Sequence, residues 1–185
     1  MSVVGYKARN HPQQVAARGA QSVVDDRAIT MRDFGPLHKR FGFTIDAAAS
    51  DENHRLERWW TADDDALRQS WQSERVWANP PYSHPNLERW AEKAWAEWRR
   101  LPGPGLIVML VPANRTEQGW WQRQVEPHRD RGSGMRVEFL PGRMRFLVPG
   151  QSEIGPDERP PFGCCLLIWE RPAKRGQLAL FGGGS

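Results

Sequence analysis

Asn79-Pro-Pro-Tyr82 sets a carboxamide, two rigid residues and an aromatic ring within four positions, directly after the short apolar run Arg75-Val-Trp-Ala78. Two consecutive prolines stop sheet pairing, so a strand must end there and the tetrapeptide must form the turn beyond it. In an open α/β sheet, ligands bind at the carboxyl ends of the strands. A planar NH2 group laid against this turn, such as the exocyclic amine of adenine, would meet two acceptors, the Asn79 side-chain oxygen and the Pro80 carbonyl. Together these would draw the nitrogen out of conjugation with its ring, free its lone pair to attack an electrophilic carbon and stabilise the charge that develops. Tyr82 offers a face for the base, and such stacking is worth about 1–3 kcal/mol. The prolines, Pro80 and Pro81, fix the turn so that both acceptors are preorganised. The alternative is an ordinary strand-ending turn, which Asn-Pro also favours. His84 follows closely and is a candidate base, but an alkylated amine is acidic enough to lose its proton to water or to the acceptors, so His84 is expected at the surface.

The elements that must hold this turn can be read on either side of it. Thr30 can N-cap a short helix that Gly35-Pro36 should interrupt, and Phe41-Gly-Phe-Thr-Ile45 reads as a strand ending at Asp46. Residues 51–60 read as a helix or a long loop carrying Trp59 and Trp60. Pro85 to Leu101 gives the strongest helical pattern, with Leu87, Trp90, Ala91, Ala94, Trp95, Trp98 and Leu101 on one stripe, acids early and Arg99-Arg100 late. Those tryptophans are expected in the core. Gly105 to Val111 is wholly apolar, as a buried central strand of a parallel sheet would be, and Pro112 closes it. Thr116 to Val125 reads as a helix weakened by Gly119, while Arg136 to Leu140 and Arg143 to Leu147 read as a late hairpin-like pair of strands. Pro149 to Pro161 is a proline-rich loop, and Gly163 to Glu170 is the last apolar strand. Strands alternating with helices predict a three-layer α/β domain over residues 25–171, between a flexible arm at 1–24 and a flexible tail at 172–185.

Composition narrows the classes. The 185 residues make one ordinary domain, with mean hydropathy −0.70 and no apolar run long enough for a bilayer. Neither a membrane span nor a secretory signal is expected, which implies a cytoplasmic protein. The two cysteines, Cys164 and Cys165, are adjacent and apolar in context, so neither a disulfide framework nor a zinc module is expected, and no metal is. Ten tryptophans exceed what filling a core of this size requires, and some are expected to face a flat ligand. Between Asp46 and Asp65, seven acids and two arginines give a net −5, leaving +9 on the rest of a chain whose total is +4. An acidic pocket edge on a basic body suits a small cationic or hydroxyl-rich cofactor together with a polyanionic partner; a merely solvated surface is the alternative.

The turn resembles the catalytic motif of amino-group methyltransferases that use S-adenosylmethionine. Phe41-Gly-Phe-Thr-Ile-Asp-Ala-Ala-Ala-Ser50, Asp64-Asp65-Ala-Leu67 and Arg75-Val-Trp-Ala-Asn-Pro-Pro-Tyr82 together resemble the phage-type DNA N-6-adenine-methyltransferase family. The likeness continues through Leu110-Val-Pro-Ala-Asn-Arg-Thr116 and Trp120-Trp121 to Gly142-Arg-Met-Arg-Phe146, and so covers roughly residues 25–170. It implies a Rossmann-like S-adenosylmethionine-dependent methyltransferase fold with a mostly parallel central sheet. It also implies catalysis by Asn79, Pro80, Pro81 and Tyr82, acting on adenine in double-stranded DNA. By the same resemblance Asp46, Ala47 and Ala48 line the methionine and ribose part of the cofactor, and Asp65 or Asp64 accepts from its adenine amine. Thr30 matches a threonine near the methionine carboxylate, although Met31 stands where the family usually has proline, and helix capping is the alternative.

A base within a duplex must leave the stack to be methylated, with phosphate contacts holding the strand. Arg115, Arg129, Arg131, Arg136, Arg143 and Arg145 are candidate phosphate contacts; Arg115, Arg143 and Arg145 fall in the matching stretches and are favoured, and a solvated basic face is the alternative for the others. With so few residues between the turn and the next helix, sequence reading is left to short loops at 83–86, 122–134 and 149–161. Gln177-Leu-Ala-Leu-Phe181 looks like the short peptide by which bacterial replication and repair proteins dock to the sliding clamp, with Gln177, Leu178, Leu180 and Phe181 as anchors; a packed terminus is the alternative. Gly182 to Ser185 resembles an engineered linker. Rival functions use the same turn on RNA adenine or a protein glutamine amide, or keep the fold as a non-catalytic DNA-binding or clamp-associated module.

Overall fold

The computed structural model describes residues 28–83, 85–144, 146–147 and 162–171. Arg145, His84, the arm at 1–24, the loop at 149–161 and the tail at 172–185 lie outside the described residues. In chain order the elements are β1 (Ala28–Ile29), α1 (Met31–Phe41), β2 (Ile45–Asp46), β3 (Arg75–Ala78), α2 (Asn86–Arg100), β4 (Gly105–Pro112), α3 (Gly119–Gln124), β5 (Met135–Phe139), β6 (Phe146–Leu147) and β7 (Cys164–Arg171).

A five-stranded sheet with order β2-β3-β4-β7-β5 carries the domain. β2, β3 and β4 pair in parallel, whereas β7 is antiparallel to both β4 and β5. The expected mostly parallel sheet is therefore corrected to a mixed one. The cause is β7, whose eight residues pair along the full length of β4, from Gly105↔Arg171 to Pro112↔Cys164. The expected late hairpin is also absent. β5 pairs with β7, and β6 crosses to pair with β1 in a separate two-stranded sheet, Ala28↔Leu147 and Ile29↔Phe146.

Alternation along the strands feeds two cores, one on each face. Ile45, Val76, Ala78, Ile107, Met109, Val111, Leu167 and Trp169 pack with Trp90, Ala91, Ala94 and Trp95 of α2 and with Trp120 and Trp121 of α3. Trp77, Leu106, Val108, Leu110, Leu166 and Ile168 point the other way, onto Phe34 and Phe41 of α1, Phe43, and Ile29 and Phe146 of the small sheet. The three-layer arrangement follows directly. α2 matches its sequence pattern closely: Trp90 and Trp95 are in the core, and Trp98 is half-buried against it. One polar side chain, Glu97, joins that buried face.

α1 runs through Gly35-Pro36 instead of breaking there. Thr30 caps it, its Oγ1 accepting from the Asp33 amide at 3.2 Å, and Gly42 ends it at φ +60 with its N–H on the His38 carbonyl. With both ends satisfied and Phe34 and Phe41 buried, the helix tolerates the bond that Pro36 removes. Phe41 thus belongs to the helix, and the strand expected from Phe41 shrinks to Ile45–Asp46. Residues 51–60 form a loop, joined to β2 by an isolated bridge between Asp46 and Trp59. Among the described residues no helix is long and apolar enough to cross a membrane.

Gly134 begins the return into β5 at φ +82, and its carbonyl accepts from the Glu170 amide at 2.9 Å. A Cβ there would lie 2.4 Å from the Trp98 ring. Gly134→Ala is expected to lower the stability by more than about 1 kcal/mol, read by denaturant unfolding, because strain and overlap act together. An unchanged midpoint would contradict this packing.

Candidate active site

β2 and β3 end side by side. Asp46 pairs with Trp77, the Ala47 amide continues the ladder onto the Trp77 carbonyl at 2.8 Å, and Asn79 emerges two residues beyond Trp77. At this end of the sheet lies a cavity of about 610 Å³. Its lining includes the backbone path Ala47-Ala48-Ala49, the indoles of Trp60 and Trp90, and the polar groups Ser50, Asn53, Thr61, Asp65, Asn79, Asn86 and Arg89, with Pro81 beside Asn79. Three small side chains let a ligand approach the backbone, as glycines do elsewhere. Volume, flat aromatic rings and a few convergent polar groups fit a nucleoside-sized ligand.

Asp46 is buried beneath this lining. Its Oδ1 accepts from the Ala48 amide at 3.4 Å and its Oδ2 from the Arg55 amide at 3.1 Å. Burial pushes its carboxyl up to about 6, against the opposing pull of those two amides and of the Arg55 and His54 charges. It borders a narrow crevice shared with Ala48, Asn53, Arg55 and Asn79, which reaches back to Ala28 and Ile29.

At the turn, the Tyr82 hydroxyl donates to Asn79 Oδ1 at 2.8 Å. The Tyr82 ring meets Phe146 edge-on at 6.2 Å and 89°, and Phe162 at 6.3 Å and 67°. Burial, with Cys164 and Cys165 nearby, holds its phenol well above the usual value near 10, so it stays a neutral donor. The thiols themselves are pushed up to about 12 by burial and are inert. Asn79 and Pro81 line the cavity, Pro80 is buried, and Tyr82 is half-buried outside the lining.

The two acidic candidates separate clearly. Asp64 is exposed and spends Oδ2 on the Thr61 amide and hydroxyl, at 2.8 and 2.9 Å, which holds its carboxyl below the usual range. Asp65 lines the cavity. Thr30 acts as the cap of α1, while Ala47 and Ala48 line the cavity. Among the arginines, Arg143 is exposed, and Arg115 is half-buried with its Nε sequestered and making no hydrogen bond among the described residues. Arg136 is committed to Glu138 and Glu170, and Arg129 to Glu126. Asn53, Trp60, Asn86 and Arg89 escaped sequence reading. Asn53 and Trp60 sit in an aperiodic loop, and Asn86 and Arg89 fall on the first turns of a helix whose pattern speaks only for its buried side.

A mixed α/β sheet with a nucleoside-sized cavity at the carboxyl ends of its parallel strands, and an Asn-Pro-Pro-Tyr turn at the rim, defines an α/β ligand-binding domain of the enzyme type. The family model described as DNA N-6-adenine-methyltransferase (Dam) matches residues 21–180. The chain belongs to that family. A DNA N-6-adenine-methyltransferase of Escherichia phage T1 is 34% identical over 82 residues, which cover 43% of this chain and 32% of the phage protein. The matched region thus spans about a third of that relative's length.

The folded Asp46 carboxyl keeps a proton that the unfolded chain, with an ordinary carboxyl near 4, has already lost. Between about pH 4 and 6 this group therefore makes stability fall as pH rises, and above 6 its penalty is constant. A carboxyl resonance titrating near 6, and missing from Asp46→Asn, is the expected NMR result. A midpoint near 4 would mean that Asp46 is solvated.

Proposed function

We propose that this protein is an S-adenosylmethionine-dependent DNA adenine-N6 methyltransferase on a Rossmann-like methyltransferase fold. The observation that carries the reading is the position of Asn79, at the carboxyl end of β3 and on the rim of a cavity sized for a nucleoside. Family membership supplies the substrate class.

The cofactor would supply an electrophilic methyl group on a sulfonium, whose C–S bond would break to leave a neutral thioether as the N–C bond forms. Ala47 and Ala48 let its methionine and ribose part lie against the backbone, with the buried Asp46 carboxylate beneath them to favour positive charge and hydroxyl donors. Trp60 and Trp90 offer apolar faces, and Asp65 offers an acceptor for an adenine amine. Asp65 is preferred to Asp64 for this role because it lines the cavity, whereas Asp64 is exposed and lies outside the lining, as does Thr30, the cap of α1.

The target adenine is turned out of duplex DNA, and Arg115, Arg143 and Arg145 contact phosphates of the strand. Asn79 Oδ1 and the Pro80 carbonyl accept the two amine hydrogens. An amide oxygen has two lone pairs, so Oδ1 can keep the Tyr82 hydroxyl while accepting from the amine. Tyr82 presents its ring to the base. Both acceptors stabilise positive charge as the nitrogen attacks, and water or either acceptor then relays the proton away. The tail anchors Gln177, Leu178, Leu180 and Phe181 hold the enzyme at a sliding clamp, near newly replicated DNA.

Two measurements test this. With methyl-labelled S-adenosylmethionine and unmodified DNA, nucleoside analysis is expected to yield N6-methyladenine, and Asn79→Ala to lower kcat about a hundredfold without altering cofactor affinity. Near-normal turnover in Asn79→Ala would refute the role of the turn, and label appearing only in RNA or protein would refute the substrate. Separately, purified sliding clamp is expected to retain the full chain and to lose one truncated after Gly176; equal retention would remove the tether.

A further inference from the structure

Asp65 holds a left-handed backbone, φ +48, although it carries a Cβ. That conformation costs a non-glycine residue energy and persists where its surroundings enforce it. The local turn contributes three bonds: the Asp65 amide to the Ala62 carbonyl at 3.2 Å, the Arg68 amide to the Asp65 carbonyl at 2.8 Å, and the Leu67 amide to Asp65 Oδ1 at 3.2 Å.

Beyond the turn, side chains grip the carbonyls of the residues before and after it. Gln69 Nε2 donates to the Asp64 carbonyl at 2.7 Å, and the Trp71 indole Nε1 donates to the Ala66 carbonyl at 2.9 Å. Both gripping residues are tied in turn to the interior of α2. Lys93 Nζ donates to the Gln69 carbonyl at 2.6 Å, Glu97 Oε2 accepts from the Trp71 amide at 3.1 Å, and Lys93 and Glu97 pair at 2.6 Å. Glu97 and Trp71 are each only 1% exposed. Trp71 also leans on Trp90, at 5.9 Å, which lines the same cavity as Asp65.

A buried ion pair is a poor source of stability, since desolvation offsets the attraction. This one is spent on specific backbone groups of a loop without regular structure. We infer that Glu97, Lys93 and Trp71 form a latch that positions the Asp65 carboxylate in the cavity, and that the latch thereby sets selectivity for an amine-bearing base. None of the three lines the cavity, so they are positioning residues. The inference rests on the reading above that Asp65 accepts from the adenine amine of the cofactor.

The test is binding selectivity, measured by calorimetry with two probes: S-adenosylhomocysteine and its analogue with hydrogen in place of the 6-amine. The wild type is expected to prefer the amine about tenfold, as a bond to a charged acceptor allows, and Asp65→Ala to lose that preference. Trp71→Phe, which keeps an aromatic side chain but removes the indole N–H, and Lys93→Met are expected to lose most of it while remaining folded by thermal melting. Glu97→Ala should behave likewise; if it does not fold, the other two variants decide. A purely structural latch would lower the melting temperature and leave the preference of the folded protein intact. Full preference in Trp71→Phe and Lys93→Met, with loss in Asp65→Ala, overturns the latch and spares the Asp65 assignment. Preference retained in Asp65→Ala overturns both, and a wild type that binds neither probe overturns the proposed function with them.

Discussion

The parallel register of β2 on β3 is the constraint on which the site depends. Two Cα pairs define it, Ile45↔Val76 and Asp46↔Trp77, extended by the Thr44 amide on the Arg75 carbonyl and the Ala47 amide on the Trp77 carbonyl. So short a ladder would slip if backbone bonds alone held it. Side-chain alternation fixes it from both faces: Ile45, Val76 and Ala78 belong to the α2 side, while Trp77 belongs to the α1 side among Phe34 and Phe43. A shift by one residue would drive the largest side chain of β3 into the wrong core. The same register brings the small residues after Asp46 and the carboxamide after Ala78 to one opening.

A buried carboxyl lies beneath that opening. Asp46 is charged at neutral pH with amide donors on each oxygen, yet burial keeps its carboxyl near 6. Arg55 is itself pulled below its usual value by burial, with Nε on the Ile29 carbonyl at 2.6 Å and Nη1 on the His54 carbonyl at 3.1 Å. Its backbone amide and guanidinium thus join β1, the end of β2 and the loop beyond it. The segment from Asp46 to Asp65 also carries the exposed acids Asp51, Glu52, Asp63 and Asp64, while most of the positive charge lies elsewhere in the chain.

What the sequence made legible divides along physical lines. Asn86–Arg100 and Gly105–Pro112 were legible because burial on one side or on both writes itself directly into the apolar pattern. The turn at Asn79 was legible because proline has few structural uses after a strand. Phe41 was misread because Phe-Gly-Phe-Thr-Ile looks extended, whereas its ring packs from α1 onto the sheet. The pairing of β6 with β1 is a contact between segments more than a hundred residues apart, and no local pattern records it. The same holds for the loop between β2 and β3. Its order comes from single hydrogen bonds to Asp46, Thr61, Lys93 and Glu97, which leave no period in the sequence, and so Asn53 and Trp60 went unseen while Asp64 and Asp65 stayed indistinguishable.

Tyr82 explains how a four-residue turn can be held rigid. Its ring packs against both hydrophobic cores, the one under α2 and the one under α1, and meets Phe146 of β6 and Phe162 edge-on. Its hydroxyl returns to Asn79. The turn is therefore pinned at its far end to the seam where the two layers meet, and at its near end to β3, with Pro80 buried between them. Preorganisation of the Asn79 oxygen is then a property of the whole sheet, because moving it requires shifting residues packed on either face. The small β1–β6 sheet acquires a purpose in this light: by holding Phe146 in place it supplies one of the walls that keep Tyr82, and through it the Asn79 carboxamide, from turning.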